Sequence, residues 1–189
     1  MLTAPTGHLE LVAFNPAATR QLAENQSDAP VAPSAMDHEG LRSVALGSWP
    51  WAVYGRANHP AFADWSLSAW ASYPHLQIRT SVLPKPNPID RPIVALGLRR
   101  RIGAVIPHFS MAAPILAQTD LLLTVSSVTM TASYEVHDLE RRTPPLHLSS
   151  KDSSLFRSAT NGEEPGTRWF LDRVLDAAKH LTDSKEGHA

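Results

Sequence analysis

The sequence predicts an α/β fold with a mostly parallel sheet, on three observations. Short apolar runs of strand length, above all residues 102–106 and 121–125, are bounded by turn residues. Stretches with helical apolar spacing stand next to them, at 89–100 and 110–118, which is the alternation expected of α/β layers. The chain of 189 residues is long enough for one domain with a full core, or for two small lobes that share their chain crossings.

The elements follow in order. Residues 9–14, LELVAF, form a mostly apolar run of buried-strand length, stopped by Asn15-Pro16. A short helix is predicted over 17–24, and the polar, proline-bearing NQSDAPVAPS (25–34) reads as an exposed loop. Residues 41–46 and 51–56 read as strands separated by GSWP, with Asn58-His59-Pro60 supplying turn chemistry after the second. SLSAWASY (66–73) reads as a short helix with Ser66 at its start, and HLQIRT (75–80) as a strand with Leu76 and Ile78 on one face. PKPNP (84–88) carries too much proline for a helix or a central strand and is a loop.

A helix over 89–100 places Ile89, Ile93, Leu96 and Leu98 close to a single stripe. A buried strand over 102–106, a helix over 110–118 with Pro114 near its first turn, and a buried strand over 121–125 complete this part. YEVHDLE (134–140), LHLSS (146–150) and SSLFRSA (153–159) read as strands. The helix at 164–181 carries Phe170, Val174, Ala178 and Leu181 on one side and charges on the other, and the tail after it is expected to fray. There is no internal repeat.

Composition excludes several kinds of chemistry. Seventeen Lys and Arg stand against eighteen Asp and Glu, a formal net charge of −1, so the chain lacks the basic balance of a nucleic-acid reader. With no cysteine there are no disulfides, thiolate metal sites or cysteine nucleophiles. The first residues lack the basic start and apolar core of a signal peptide, and no run of about 18 apolar residues could span a bilayer. The expectation is a soluble, cytoplasmic protein with no membrane association.

Nine histidines are scattered without an HExxH pair, and there is no GxSxG elbow, SxxK or glycine-rich phosphate loop. No enzyme, metal or cofactor is expected. Glu135, Asp138 and Glu140 face water. Trp49, Trp51, Trp65 and Trp70 either line an aromatic pocket or pack in the core. His108 follows a predicted buried strand and Pro107, where α/β sheets present ligand-facing groups, and is either such a group or a histidine satisfied by nearby backbone. Arg99, Arg100 and Arg101 follow the last turn of the predicted 89–100 helix, where positive charge meets the negative end of the dipole. Arg91 and Lys85 extend a local basic patch.

Three stretches carry a resemblance. RANHP (56–60), ALGLRRRIGAVIPHFSMAAPILAQTDLLLTV (95–125) and EEPGTRWFLDRVL (163–175) resemble successive landmarks of the effector-binding domain of LysR-type transcriptional regulators. The most specific part is Ile106-Pro107-His108-Phe109, then Ala113-Pro114, then Thr119-Asp120, similar to the branch that includes nodulation regulators. The resemblance covers about residues 40–175.

It implies a two-lobed α/β fold like type 2 periplasmic binding proteins, with a small-molecule effector held between the lobes. Residues 1–55 and 126–189 would form the first lobe, incomplete at its start, and 61–122 the second, with crossings near 51–56 and 122–126. By position, the cleft would be lined by Asn15, Trp51, Thr80, Ser81, Pro107, His108 and Phe109. The family often has Ser or Thr where His108 stands, which departs from a plain carboxylate site. Trp51 and Phe109 suggest a partly apolar or aromatic effector. The family's N-terminal winged helix-turn-helix and linker helix lie outside the resemblance, so no direct nucleic-acid binding by this chain is expected. The implied partners are a second copy, as a homodimer, or a full-length regulator with which a truncated chain would pair and interfere.

Overall fold

A computed structural model of the protein describes residues 8, 10, 21–22, 30–34, 41–79, 87–158 and 165–183. The centre of these is β3 (Trp51–Arg56), whose four inner residues are all buried. Both faces of this strand meet apolar side chains, which is why its sequence is a continuous apolar run and not an alternation. Ala52 and Tyr54 join one core cluster, while Val53 between them joins a second on the opposite face.

Strand β3 pairs antiparallel with β6 (Leu123–Ser126) on one side and with β7 (Leu139–Arg142) on the other. Strands β4 (Pro74–Ile78) and β5 (Arg101–Ile106) pair in parallel. Leu122 joins the two groups: Leu76 N–H donates to the Leu122 carbonyl at 2.9 Å, and Leu122 N–H donates to that of Pro74 at 3.0 Å. The layer therefore reads β5–β4–β6–β3–β7. Among the described residues parallel contacts are confined to β4 with β5 and with Leu122, so the layer as described is mixed and not mostly parallel.

Helices cover both faces. Helix α3 (Ala112–Ala117) buries Ala112, Ala113 and Leu116 against Ala52, Tyr54, Leu76 and Leu123. On the other side, Trp70 of α1 (Leu67–Ser72) and Ile93 of α2 (Asp90–Ala95) pack on Val53 and Leu122. Ser66 caps α1 by accepting the Ala69 N–H at 3.1 Å, as the sequence predicts.

A second sheet is antiparallel in the order β1–β8–β2, formed by Val31–Pro33, Lys151–Ser158 and Leu41–Trp49. Helix α4 (Pro165–Asp183) packs against β2 and buries Leu171 and Ala178. Leu22, Ala32 and Phe156 form a small core of their own. Residues 21–22 are helical, inside the predicted 17–24 helix, whereas the predicted strand at 9–14 lies outside the described residues.

Five expectations are corrected. The 25–34 loop contains β1, because Ala32 finds a buried place beside Phe156. Strand β2 runs on to Trp49, with a register shift between Ala45 and Gly47 that skips Leu46 and places Gly47 at a φ of 152° that favours glycine. The 89–100 helix stops at Ala95: Leu98 N–H donates to Ile93 O and Gly97 N–H to Val94 O, a Schellman closure with Gly97 at φ 72°.

Strand β5 is not a buried strand: among the described residues it pairs with β4 alone, and Ile102 and Val105 are exposed. Residues 134–138 form turns, with Asp138 in the left-handed region, and only 139–142 pair as β7; residues 146–150 form no strand.

Candidate functional site

Beyond Leu122, β4 and β6 make no further ladder bonds among the described residues, and Leu76–Ile78 and 123–126 line the same opening. The resulting cleft is narrow, with about 50 Å³ open to water-sized occupants; counted together with its open mouth the empty space is about 460 Å³. It lies outside the carboxyl ends of the parallel strands, where open α/β sheets bind ligands.

Its walls come from both sheets. Trp51 opens β3, and its indole Nε1 donates to the Ser149 carbonyl at 2.8 Å, tying the five-stranded layer to the segment that enters β8. Lys151, the first residue of β8, also lines the cleft. Phe109 stands in the single 3-10 turn that follows β5, and Ile89 and Asn87 come from the approach to α2. Asn87 Oδ1 accepts the Ile89 N–H at 3.0 Å and fixes that approach.

Polar groups complete the lining: Gln77 from β4, Thr124 and Ser126 from β6, and Thr129 from the 3-10 turn after it. Thr124 Oγ1 accepts the Trp70 indole N–H at 3.2 Å, which anchors this hydroxyl through the core. No Asp or Glu lines the cleft among the described residues.

Arg100 is the buried cation of the site. Its side chain is 2% exposed, and Nε donates to Asp90 Oδ1 at 2.7 Å in the first turn of α2. The arginine run is thus not the end of a helix, since Gly97 has already closed α2. The chain returns antiparallel to the helix, which brings Arg100 back to Asp90, while Arg99 and Arg101 stay exposed. Arg100 Nη2 is buried with no hydrogen-bond partner among the described residues. Lys151 is also partly desolvated, and burial lowers the pKa of its ammonium group.

Two histidines lie deep in the same layer, on structural duty. His59 Nδ1 accepts the Ala61 N–H at 3.1 Å, its ring packs on Phe62 and Tyr73, and burial lowers its pKa. His75 meets the Trp70 ring edge-on at 4.6 Å between centroids. No cluster of His, Asp and Glu able to hold a metal occurs among the described residues.

Of the sequence-predicted site residues, Trp51 and Phe109 line the cleft. Pro107 and His108 are exposed on the turn after β5 and are not among its lining residues. Asn15, Thr80 and Ser81 lie outside the described residues. Sequence reasoning missed Arg100 and Lys151. A signal for Arg100 was present in Gly97, a C-terminal stop that turns the following arginines back along the helix; Lys151 had none.

The LysR substrate binding domain family matches residues 2–179. The chain belongs to this family. It is a family of transcription regulators and not of enzymes, and the effector-binding resemblance and the mixed α/β architecture agree with it. The chain is 29% identical over 124 residues to the HTH-type transcriptional regulator SyrM of Rhizobium meliloti, covering 65% of this chain and 38% of that protein. It spans well under half the length of the curated LysR relatives it matches.

Solved structures share the fold at low identity. A putative transcriptional regulator from Vibrio parahaemolyticus superposes with a TM-score of 0.76 at 20% identity, covering 93% of this chain and 81% of that one. The BenM effector binding domain with its effector benzoate gives 0.61 at 18%, covering 95% and 80%. In this LysR domain no helix among the described residues is long and apolar enough to cross a membrane.

Proposed function

We propose that the chain is the sensing part of a cytoplasmic LysR-type regulator and holds a small-molecule effector in the cleft between β4, β6 and the start of β8. The observation that carries this reading is the composition of the cleft walls. Lys151 belongs to the β1–β8–β2 sheet, whereas Leu76, Phe109 and Thr124 belong to the five-stranded layer or its connections. A ligand touching both sheets favours one relative placement of them over others, which is what a population shift requires. On this reading the two sheets are the two lobes, and the chain crosses between them at Pro50 and again between β7 and β8. The BenM domain, whose structure holds benzoate, supports a small organic effector for this domain as well.

The test is a thermal-shift and tryptophan-emission titration with a panel of aromatic and organic acids and their neutral analogues. A cleft ligand at a hundred times its Kd is expected to stabilise the protein by about 2.7 kcal/mol. It is also expected to change the emission of Trp51, which lines the cleft. A panel that moves neither Tm nor emission contradicts the reading.

A further inference from the structure

We propose that Arg100 and Lys151 form an anion subsite in this cleft, which selects a small aromatic monocarboxylate as the effector. The inference rests on the effector reading above and deepens it. Arg100 is held in place by Asp90 through Nε, yet its Nη2 is buried with no acceptor among the described residues. A buried guanidinium nitrogen without an acceptor is costly, and an acceptor arriving from the cleft recovers that cost. Lys151 enters the same cleft from the other sheet and has no ion-pair partner among the described residues.

Charge fixes the class of ligand. Among the described residues Arg100 and Lys151 are opposed by the one carboxylate of Asp90, which leaves one positive charge for a ligand carboxylate to balance. A dianion would leave a charge unpaired in a partly desolvated place. The absence of Asp and Glu from the described lining removes the repulsion that would otherwise reject an anion. Burial, which has already stripped water from the Lys151 ammonium, adds to the gain from pairing it.

The remaining walls set the body of the ligand. Trp51, Phe109, Leu76, Ile78 and Val125 offer apolar and aromatic surface, while Thr124, Ser126 and Gln77 supply only neutral polar groups. A flat aromatic acid satisfies both parts: the ring lies among the apolar side chains and the carboxylate takes Arg100 and Lys151. To reach Nη2 the carboxylate must part the side chains that now shield it. Ligand entry is therefore coupled to movement of the cleft walls.

The test uses the full chain and calorimetric titration with benzoate, cinnamate and 2-naphthoate, each paired with its neutral primary amide. At least one acid is expected to bind, with its amide weaker by tenfold or more. Lys151→Met is expected to weaken that acid at least tenfold and leave the amide unchanged, whereas Lys151→Arg retains the acid. Arg100→Lys, which keeps the charge opposite Asp90, separates a binding defect from misfolding; with the wild-type circular dichroism spectrum retained, it is expected to weaken the acid several-fold. Amides that bind as tightly as their acids, or a Lys151→Met protein with wild-type acid affinity, overturn the subsite. If neutral compounds bind in the cleft and every acid fails, the subsite is wrong and the effector reading stands. If nothing binds, charged or neutral, both fall.

Discussion

Trp70→Ala is expected to lower the stability of the protein by about 3–5 kcal/mol, the cost of removing a large aromatic side chain from a packed core. Trp70 is fully buried and sits among Val53, Phe62, Ile93 and Leu122, so its loss leaves a cavity bounded by a strand and two helical segments. Two polar consequences follow. Thr124 Oγ1 loses the indole N–H that now reaches it at 3.2 Å, and the His75 ring loses its edge-on neighbour. Because Thr124 also lines the cleft, the substitution is expected to weaken effector binding in whatever fraction remains folded. Urea unfolding monitored by circular dichroism reads the stability directly, as a lower midpoint at unchanged slope. A loss under 1 kcal/mol would mean that Trp70 is not the centre of this core.

Acidification from pH 7 to 4 is expected to cost about 3 kcal/mol through His75 alone. The side chain is fully buried, and its pKa is lowered from 6.5 to about 4, chiefly by burial and next by the nearby Arg100 cation. Its hydrogen bond to the Trp70 carbonyl, at 2.9 Å, opposes that shift, as does Asp90. In the unfolded chain the imidazole takes up its proton near pH 6.5, while in the folded chain it stays neutral until about pH 4. The unfolded state therefore binds more protons across this window. Stability is full above about pH 6.5 and falls as the pH drops towards 4, with no further loss from this group below that. His75→Gln is expected to flatten this part of the profile. Wild-type unfolding free energy that is level between pH 6.5 and 4 would contradict the assignment. Since His75 and Trp70 touch, their substitutions are not expected to add.

Much of the five-stranded layer was legible because its strands carry their burial in their composition. Strand β3 and the 121–125 run are apolar on consecutive residues, which suits strands covered on both faces, and Ser66 announces the start of α1. Strand β5 misled for the same reason: RIGAVI is as apolar as a central strand, yet among the described residues only β4 pairs with it, and Ile102 and Val105 are exposed. Edge and centre differ in partners, and partners are set by the fold and not by local sequence.

The turn residues were partly readable. Asn58 takes a positive φ of 54° as expected of asparagine, but Asp138 does the same inside a run read as strand. The site was less legible than the fold. Trp51 and Phe109 lie in the cleft, but the cations that give it its character come from long-range returns of the chain. Arg100 is one of three consecutive arginines, and only the closure at Gly97 with the contact to Asp90 distinguishes it from its neighbours. Lys151 reaches the cleft because β8 begins beside Trp51, a proximity created by residues about a hundred positions apart.

The most direct test of the central claim is hydrogen–deuterium exchange by mass spectrometry on the full chain, with and without the tightest acid from the titration panel. An effector held between the two sheets is expected to slow exchange in peptides covering 74–79, 123–130 and 149–152 together, leaving α4 and the outer part of β2 unchanged. Slowed exchange confined to α4 and β2, or to one sheet only, would show that the ligand sits elsewhere and that the cleft is not the effector site.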